Sequence, residues 1–293
     1  MGVRIPFRWL AVLPALTAVA AFALYPTGLL IGMAFFDVSA LGGVFRWDFV
    51  GLHNFQRAAG DSTFLTALRN TALFVAGTTA VQVVFGTVLA LLVGWSRLLS
   101  GMAKNVLLWP AVVAPVVVSV VWWLVLSGEF GTLNRMLAVA GMPAQNWLAS
   151  HTYALPALAL VDVWHWTPIV FIVVYAALRN VDEALLEAGR VDGASEARLI
   201  WHIVLPVLRP AIAAAGLLRV IMGLKVFDEM HLLTGGGPGL STTVISIYIR
   251  DVFFGRFDMG YGAALGTTVV VCVGIVAAAT AVVRGLAARG PAT

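Results

Sequence analysis

Charge is what this chain has least of. Asp, Glu, Lys and Arg make up 11% of its 293 residues, against about 25% in a soluble domain. Such scarcity excludes an extensive water-exposed surface. Cysteine is nearly absent too. Cys272 is the single one, which excludes an internal disulfide and a cysteine-held metal cluster. It falls in an apolar run and reads as a small buried hydrophobe. No G-x-x-x-x-G-K-[ST] phosphate loop occurs, and neither does H-E-x-x-H or G-x-S-x-G, so the chain lacks the motif for cradling nucleotide phosphates and two common hydrolase signatures. The one dense glycine run, "TGGGPG" at 234–239, lacks the lysine and reads as a turn or re-entrant cap.

What is abundant is hydrophobic sequence, 61% of the chain, with a mean hydropathy of +0.96. A helix crosses a bilayer with about 20 apolar residues. Six runs qualify, at 9–36, 64–95, 106–126, 153–178, 205–233 and 261–283. The expectation is an all-α membrane protein, one transmembrane domain over 1–293 with six transmembrane helices. Several runs exceed the minimum, which tilt accommodates. Arg4, Arg8 and "WLAVLPALTAVAAFAL" imitate a secretory signal, but the apolar run continues through "YPTGLLIGMAFF"; the segment reads as a retained span.

Orientation follows the positive-inside rule. With the N-terminus inside, Arg4, Arg8, Arg97, Lys104, Arg179, Arg190, Arg198, Arg209, Arg284 and Arg289 fall on inner segments, and six of the 18 basic residues fall on outer ones. Both termini are therefore expected on the cytoplasmic side. The same bias accounts for the net charge of +4, and no nucleic-acid partner is needed. Among outer segments, 37–63 contains "FVGLHNFQRAAGDSTF", with a short surface helix expected from Asn54 and Phe55 turned inward. "GEFGTLNRMLAVAGMPAQNWL" reads as a second one, stopped by Gly141 and Pro143.

One stretch breaks the apolar pattern: "EAGRVDGASEARLIWHIVLPVLRP" at 187–210. Asp182 is an N-cap candidate and Glu183 suits the first turn. Val181, Ala184, Leu185, Ala188 and Val191 share a helical face, opposite Asp182, Glu183, Glu187 and Arg190. Asp192-Gly193 stops the helix. A second short helix follows over about 194–204, and Pro206 is expected to break or kink it where the fifth span begins. The segment over 181–206 is thus a two-helix cytoplasmic element. It serves either as a plain linker or as a docking knob for a soluble partner.

These residues carry a resemblance. The stretch is similar to the "EAA" loop of permease subunits of binding-protein-dependent ABC importers: E-A-A, three residues, G, nine residues, I-x-L-P. Glu187, Ala188, Gly189, Gly193, Ile203, Leu205 and Pro206 keep that spacing. Gly189 departs from the usual alanine. In a helix interior this costs about 1 kcal/mol and implies a looser helix. "FVGLHNF", "VDVWHWTPIVF", "LKVFDEMHLLTGGGPGLST" and "MGYGAALG" extend the resemblance to the carbohydrate-permease branch, similar to the maltose and glycerol-phosphate permease subunits that pair with a second, different permease. It implies the type I importer permease fold and a multi-pass place in the bacterial or archaeal cytoplasmic membrane, in contact with membrane lipid. It also implies a second permease subunit, two ATPase subunits that bind ATP and Mg, an extracytoplasmic solute-binding protein and a carbohydrate-type substrate, with no cofactor in this chain. Glu187, Ala188, Gly189, Arg190, Asp192 and Gly193 would then couple the spans to the ATPase.

Charged groups within spans suggest a pathway or a buried pair. Asp162, Trp164, His165 and Trp166 lie in the fourth run, and Arg219, Lys225, Asp228, Glu229 and His231 in the fifth. Lys225 meets Asp228 at i+3 and Glu229 at i+4, a spacing for self-neutralisation. A carboxylate beside aromatic rings suits a sugar, accepting its hydroxyls and covering its C–H face. Asp162, Trp164, His165, Lys225, Asp228 and Glu229 are the candidate pathway residues; packing and interhelical hydrogen bonds are the alternative for each. Asn70 and Gln82 suit helix–helix hydrogen bonds, and Pro115 and Pro168 suit kinks. Two rival functions use the same residues: an ion-gradient-driven secondary transporter with Asp162, Asp228 and Glu229 as relay, and an intramembrane enzyme with Asp162 and His165 as acid and base.

Overall fold

The computed structural model describes residues 7–41, 44–95 and 102–287. Arg4, Arg97 and Arg289, three of the inner charges, lie outside the described residues. The first described element is α1 (Phe7–Val19), which passes through a π-helical turn into α2 (Tyr25–Met33). An antiparallel hairpin follows, β1 (Phe36–Leu41) with β2 (Val44–Phe49), in register Phe36 to Phe49. Then come α3 (His53–Gly60), α4 (Ser62–Trp95), α5 (Met102–Val112), α6 (Pro115–Leu126), α7 (Thr132–Val139) and α8 (Ala154–Leu178). The second half holds α9 (Glu183–Val191), α10 (Glu196–Leu199), α11 (Leu205–Gly223), α12 (Asp228–Thr234), α13 (Ile245–Arg250) and α14 (Met259–Ala287).

The protein is therefore mostly helical rather than all-α. The hairpin strands adjoin the first apolar run, whose hydropathy masks them, although the sequence carries a two-residue turn signal, Gly42-Gly43, between the paired Leu41 and Val44. Among the described residues, four helical segments are long and apolar enough to cross a membrane: Val12–Met33, Ser62–Trp95, Ala154–Leu178 and Glu196–Gly223. A fifth candidate is the pair α5–α6, bent by 108°. It breaks where Ala114 turns extended before Pro115, which has no N–H to continue the ladder. The expected run at 205–233 is likewise not one helix: α11 ends at Gly223 and α12 starts at Asp228. Pro168, by contrast, is absorbed inside the continuous α8.

The chain divides into two compact units. One comprises the described parts of Met1–Leu65 and Tyr248–Thr293. Met33, Ala34, Val38, Ala263 and Ala264 form its core, with Phe35 and Phe55 packed on it, so Phe55 does turn inward. Asn54 is buried too, donating to the carbonyls of Ala34 (3.1 Å) and Phe36 (3.0 Å). Asp61 caps α4 by accepting the amides of Thr63 (2.8 Å) and Phe64 (3.2 Å), and it also accepts the hydroxyls of Tyr248 and Tyr261. Cys272 is exposed on α14 rather than buried.

Among its described residues, the second unit, Thr66–Ile247, holds two apolar clusters. Phe74, Val75, Val118, Leu158, Val161 and Met230 belong to one. Ala90, Val93, Val170, Val174, Leu178, Val204 and Leu208 belong to the other. Gly86, Ala90 and Gly94, four residues apart, let α4 approach α8 closely: a Cβ at Gly86 would lie 2.7 Å from Val170, and one at Gly94 2.4 Å from Leu178.

Candidate functional site

Two places in the second unit carry chemistry. The first is the polar stretch after α8. Asp182 caps α9, its carboxylate accepting the Ala184 amide at 2.9 Å. Gly193, at φ +81°, supplies the left-handed residue that reverses the chain after α9. Ser195 then caps α10 by accepting the Arg198 amide. Arg190 joins the two helices, its Nε donating to Glu196 at 2.8 Å, and Trp95 at the end of α4 donates its indole N–H to the same carboxylate at 2.8 Å.

Gly189 is the pivot of this pair. A Cβ there would lie 2.5 Å from Leu199 Cδ2 and 3.2 Å from Ile203 Cδ1. The departure from alanine thus admits Leu199, which is fully buried, and produces close packing rather than a looser helix. Pro206 does not break the second helix. Residues 200–204 form a π-helical turn and the helical run continues from Glu196 to Gly223, so the turn absorbs the hydrogen bond that the proline cannot donate.

On its outward side the pair is apolar and exposed. Val191 is 88% exposed and Leu185 46% exposed, and Ala184, Glu187, Ala188 and Asp192 are exposed with them. Val181 and Leu186 instead pack on the apolar cluster of α4, α8 and α11. The helix therefore has one face tied to the spans and one strip, Leu185, Ala188 and Val191, that none of the described residues covers.

The second place is a buried polar cluster. Asp162 on α8 accepts Arg219 Nη2 at 2.9 Å, and both side chains are almost wholly buried. Gln82 on α4 completes the triad: its carbonyl accepts Arg219 Nε at 2.6 Å, and its amide donates to the Asp162 carboxylate at 2.7 Å. One turn along α8, His165 contacts Glu229 at 2.8 Å and the Val113 carbonyl at 3.1 Å. Gln82 and Asp162 fall, along their helices, between residues of the two apolar clusters, where an unpaired charge would be costly.

A cavity of about 100 Å³ adjoins this cluster, lined by Asp162, Trp166, Arg219, Lys225, Asp228 and Glu229 among others. Trp166 stacks on His165 at 4.2 Å and lies 5.7 Å from the Arg219 guanidinium. Four of the six expected pathway residues thus meet at one cavity. Trp164 does not. It points away, 42% exposed, and packs edge-on against Trp122 at 5.7 Å. Helical spacing held the signal: Asp162, His165 and Trp166 are i, i+3 and i+4, and Trp164 is out of phase. The expected Lys225–Asp228/Glu229 pairing does not form. Glu229 pairs with His165, and Lys225 and Asp228 are exposed because the turn between α11 and α12 breaks the i to i+4 geometry that pairing needs.

Membrane-crossing helices beside a polar two-helix element with an exposed apolar strip are features of a transport subunit. The family profile described as "Binding-protein-dependent transport system inner membrane component" matches residues 82–289, and the chain belongs to that family, the multi-pass inner-membrane permeases of ABC importers. It is a non-catalytic transmembrane component.

Among its relatives is the trehalose/maltose transport system permease protein MalF of Thermococcus litoralis, 31% identical over 260 residues, covering 88% of this chain and 86% of that one. Another is the sulfoquinovosyl glycerol transport system permease protein SmoG of Agrobacterium fabrum, 31% identical over 261 residues, with 88% and 84% covered. The trehalose permease SugA of Mycobacterium tuberculosis is 30% identical over 295 residues, with 99% and 93% covered. A chain of a bacterial ABC transporter involved in import of the acidic polysaccharide alginate superposes with a TM-score of 0.82 at 25% identity, covering 95% of each chain.

Proposed function

We propose that this permease serves the import of a sugar, oligosaccharide or polyol. It forms half of the translocation pathway and pairs with a second, different permease subunit. The names of the relatives, trehalose, maltose and sulfoquinovosyl glycerol among them, support the carbohydrate class. Its two compact units act as one permease domain with six crossings and both termini cytoplasmic, the bent α5–α6 pair counting as one crossing and α14 as the last. An extracytoplasmic solute-binding protein delivers the substrate. Two ATPase subunits hold ATP and Mg and close on them. The stretch 181–206 seats on one ATPase. Ala188 faces its groove between Leu185 and Val191, Glu187, Arg190 and Asp192 meet its rim, and Gly189 and Gly193 set the angle between the helices.

The observation that carries this reading is the uncovered strip of Leu185, Ala188 and Val191 on a helix whose opposite side is packed onto the spans. A plain linker has no use for a rigid apolar face turned to water. Asp162, Trp166, Arg219, Lys225, Asp228 and Glu229 line the pathway cavity. The ion-relay alternative fits poorly, because Asp162 and Glu229 are already engaged by Arg219 and His165. Reconstitution into liposomes tests the whole. Uptake of labelled trehalose or maltose that needs ATP, the ATPase and the binding protein supports it. Uptake driven by a proton or sodium gradient without them refutes it.

A further inference from the structure

The spans that α5–α6 and α11–α12 would make are both broken, and both breaks border one cavity. Pro115 follows the first break, and Lys225, Val226 and Phe227 form the second. The pieces before the breaks, α5 and α11, each pack on α8, whereas the pieces after them, α6 and α12, pack chiefly on one another. His165 hydrogen-bonds at both breaks. Its Nε2 lies 3.1 Å from the carbonyl of Val113, within the first break, and its Nδ1 lies 2.8 Å from Glu229, in the first turn after the second.

The chemistry of that ring is constrained. A broken helix leaves carbonyls without partners, and Val113 is rescued by an imidazole N–H. Both ring nitrogens face acceptors, so the pair must hold two hydrogens between them: both on the ring beside a carboxylate, or one on Nε2 and one on the Glu229 carboxyl. Either way the pair is neutral as a whole, which is what permits a fully buried histidine and a nearly buried glutamate here.

We infer that His165 is a positioning residue that clamps the two breaks together, so that α6 and α12 move as one body about α8. This rests on the importer reading above for what drives the motion, but not for the clamp itself. A rigid pair of half-spans hinged at a common level can swing together without loss of hydrogen bonds, whereas two independent ones would each expose unpaired backbone.

The test uses the intact complex in nanodiscs, with nitroxide labels at Val120 on α6 and Leu232 on α12, both exposed, and a second pair at Val120 and Trp109 on α5. In the native protein, ATP with vanadate should change the Val120–Trp109 distance and leave Val120–Leu232 unchanged. His165→Ala should broaden the Val120–Leu232 distribution about twofold even without nucleotide. Glu229→Gln, whose amide donates to Nδ1 while Nε2–H still serves Val113, should keep it narrow. Independent movement of the native Val120–Leu232 pair, or an unchanged distribution in His165→Ala, overturns the clamp. If nucleotide moves neither pair in the native complex while His165→Ala still broadens the first, the importer reading fails and the clamp stands.

Discussion

Leu199 occupies the space that a side chain at Gly189 would fill, its Cδ2 lying 2.5 Å from where a Cβ would stand. This contact limits how closely α9 and the helical run after it lie. Helix propensity alone favours Gly189→Ala by about 1 kcal/mol, whereas overpacking costs about 1–3 kcal/mol. Gly189→Ala is therefore expected to lower the thermal midpoint in detergent and to reduce uptake per ATP. Adding Leu199→Ala should restore the coupling ratio in part. A Gly189→Ala protein that is more stable and fully coupled would contradict the packing.

Gly193 has φ +81°, and proline is held near −65°. Gly193→Pro must redirect the chain after α9 while leaving the spans untouched. ATP-driven uptake by the reconstituted complex is expected to fall by roughly tenfold or more while hydrolysis persists. Glu187→Lys, which reverses a charge at the rim of the exposed strip, is expected to act in the same direction. Full uptake by either variant would remove the coupling role.

The Asp162–Arg219 pair makes a different prediction. Deleting one partner of a buried ion pair leaves the other uncompensated, at about 3–5 kcal/mol. Asp162→Ala and Arg219→Ala should each lower the thermal midpoint sharply. Asp162→Leu with Arg219→Met should recover much of the loss, since apolar replacement of a whole pair is often neutral. A double variant as unstable as the sum of the singles would mean the two residues act separately.

The cap of α4 predicts a pH profile. Burial works to raise the Asp61 carboxyl, but hydrogen bonds from Tyr248, Tyr261 and the amides of Phe64 and Thr63 outweigh it and hold the group below its usual 3.8. A depressed carboxyl stabilises the fold above its unfolded value and loses that contribution as pH falls through the folded one. Tyr248 is the reverse case: burial and the Asp61 carboxylate push it up to about 12, so its contribution is complete below its ordinary 10.0 and is lost as pH rises toward 12. Thermal midpoints should thus be flat between these limits, with Asp61→Asn blunting the acid limb and Tyr248→Phe the alkaline one. An unaltered acid limb in Asp61→Asn would show that the cap contributes nothing.

Long apolar periodicity made the continuous helices legible: the runs at 64–95 and 153–178 match Ser62–Trp95 and Ala154–Leu178 to within two residues. Pro115 announced the bend in the third run. The break after Gly223 was hidden because "LKVF" is apolar enough to read as helix, and burial of Asp162 against Arg219 is a pairing between segments that sequence spacing cannot encode. Gln82 was legible as an interhelical donor but its partner was not. The α9–α10 pair was legible through its caps and Gly193. Leu199 against Gly189 was not, because a glycine in place of alanine carries no sign of what fills the gap. Gly86, Ala90 and Gly94 did carry a signal, small residues at every fourth position, that hydropathy alone passes over.

On the importer reading, the strip between Leu185 and Val191 takes up force from a separate ATPase. A photocrosslinker at Ala188 in the intact complex tests it most directly. Capture of the ATPase subunit is expected, with yield that changes when ATP is bound. Capture of lipid alone, or of no soluble neighbour in a complex that still imports, would contradict it.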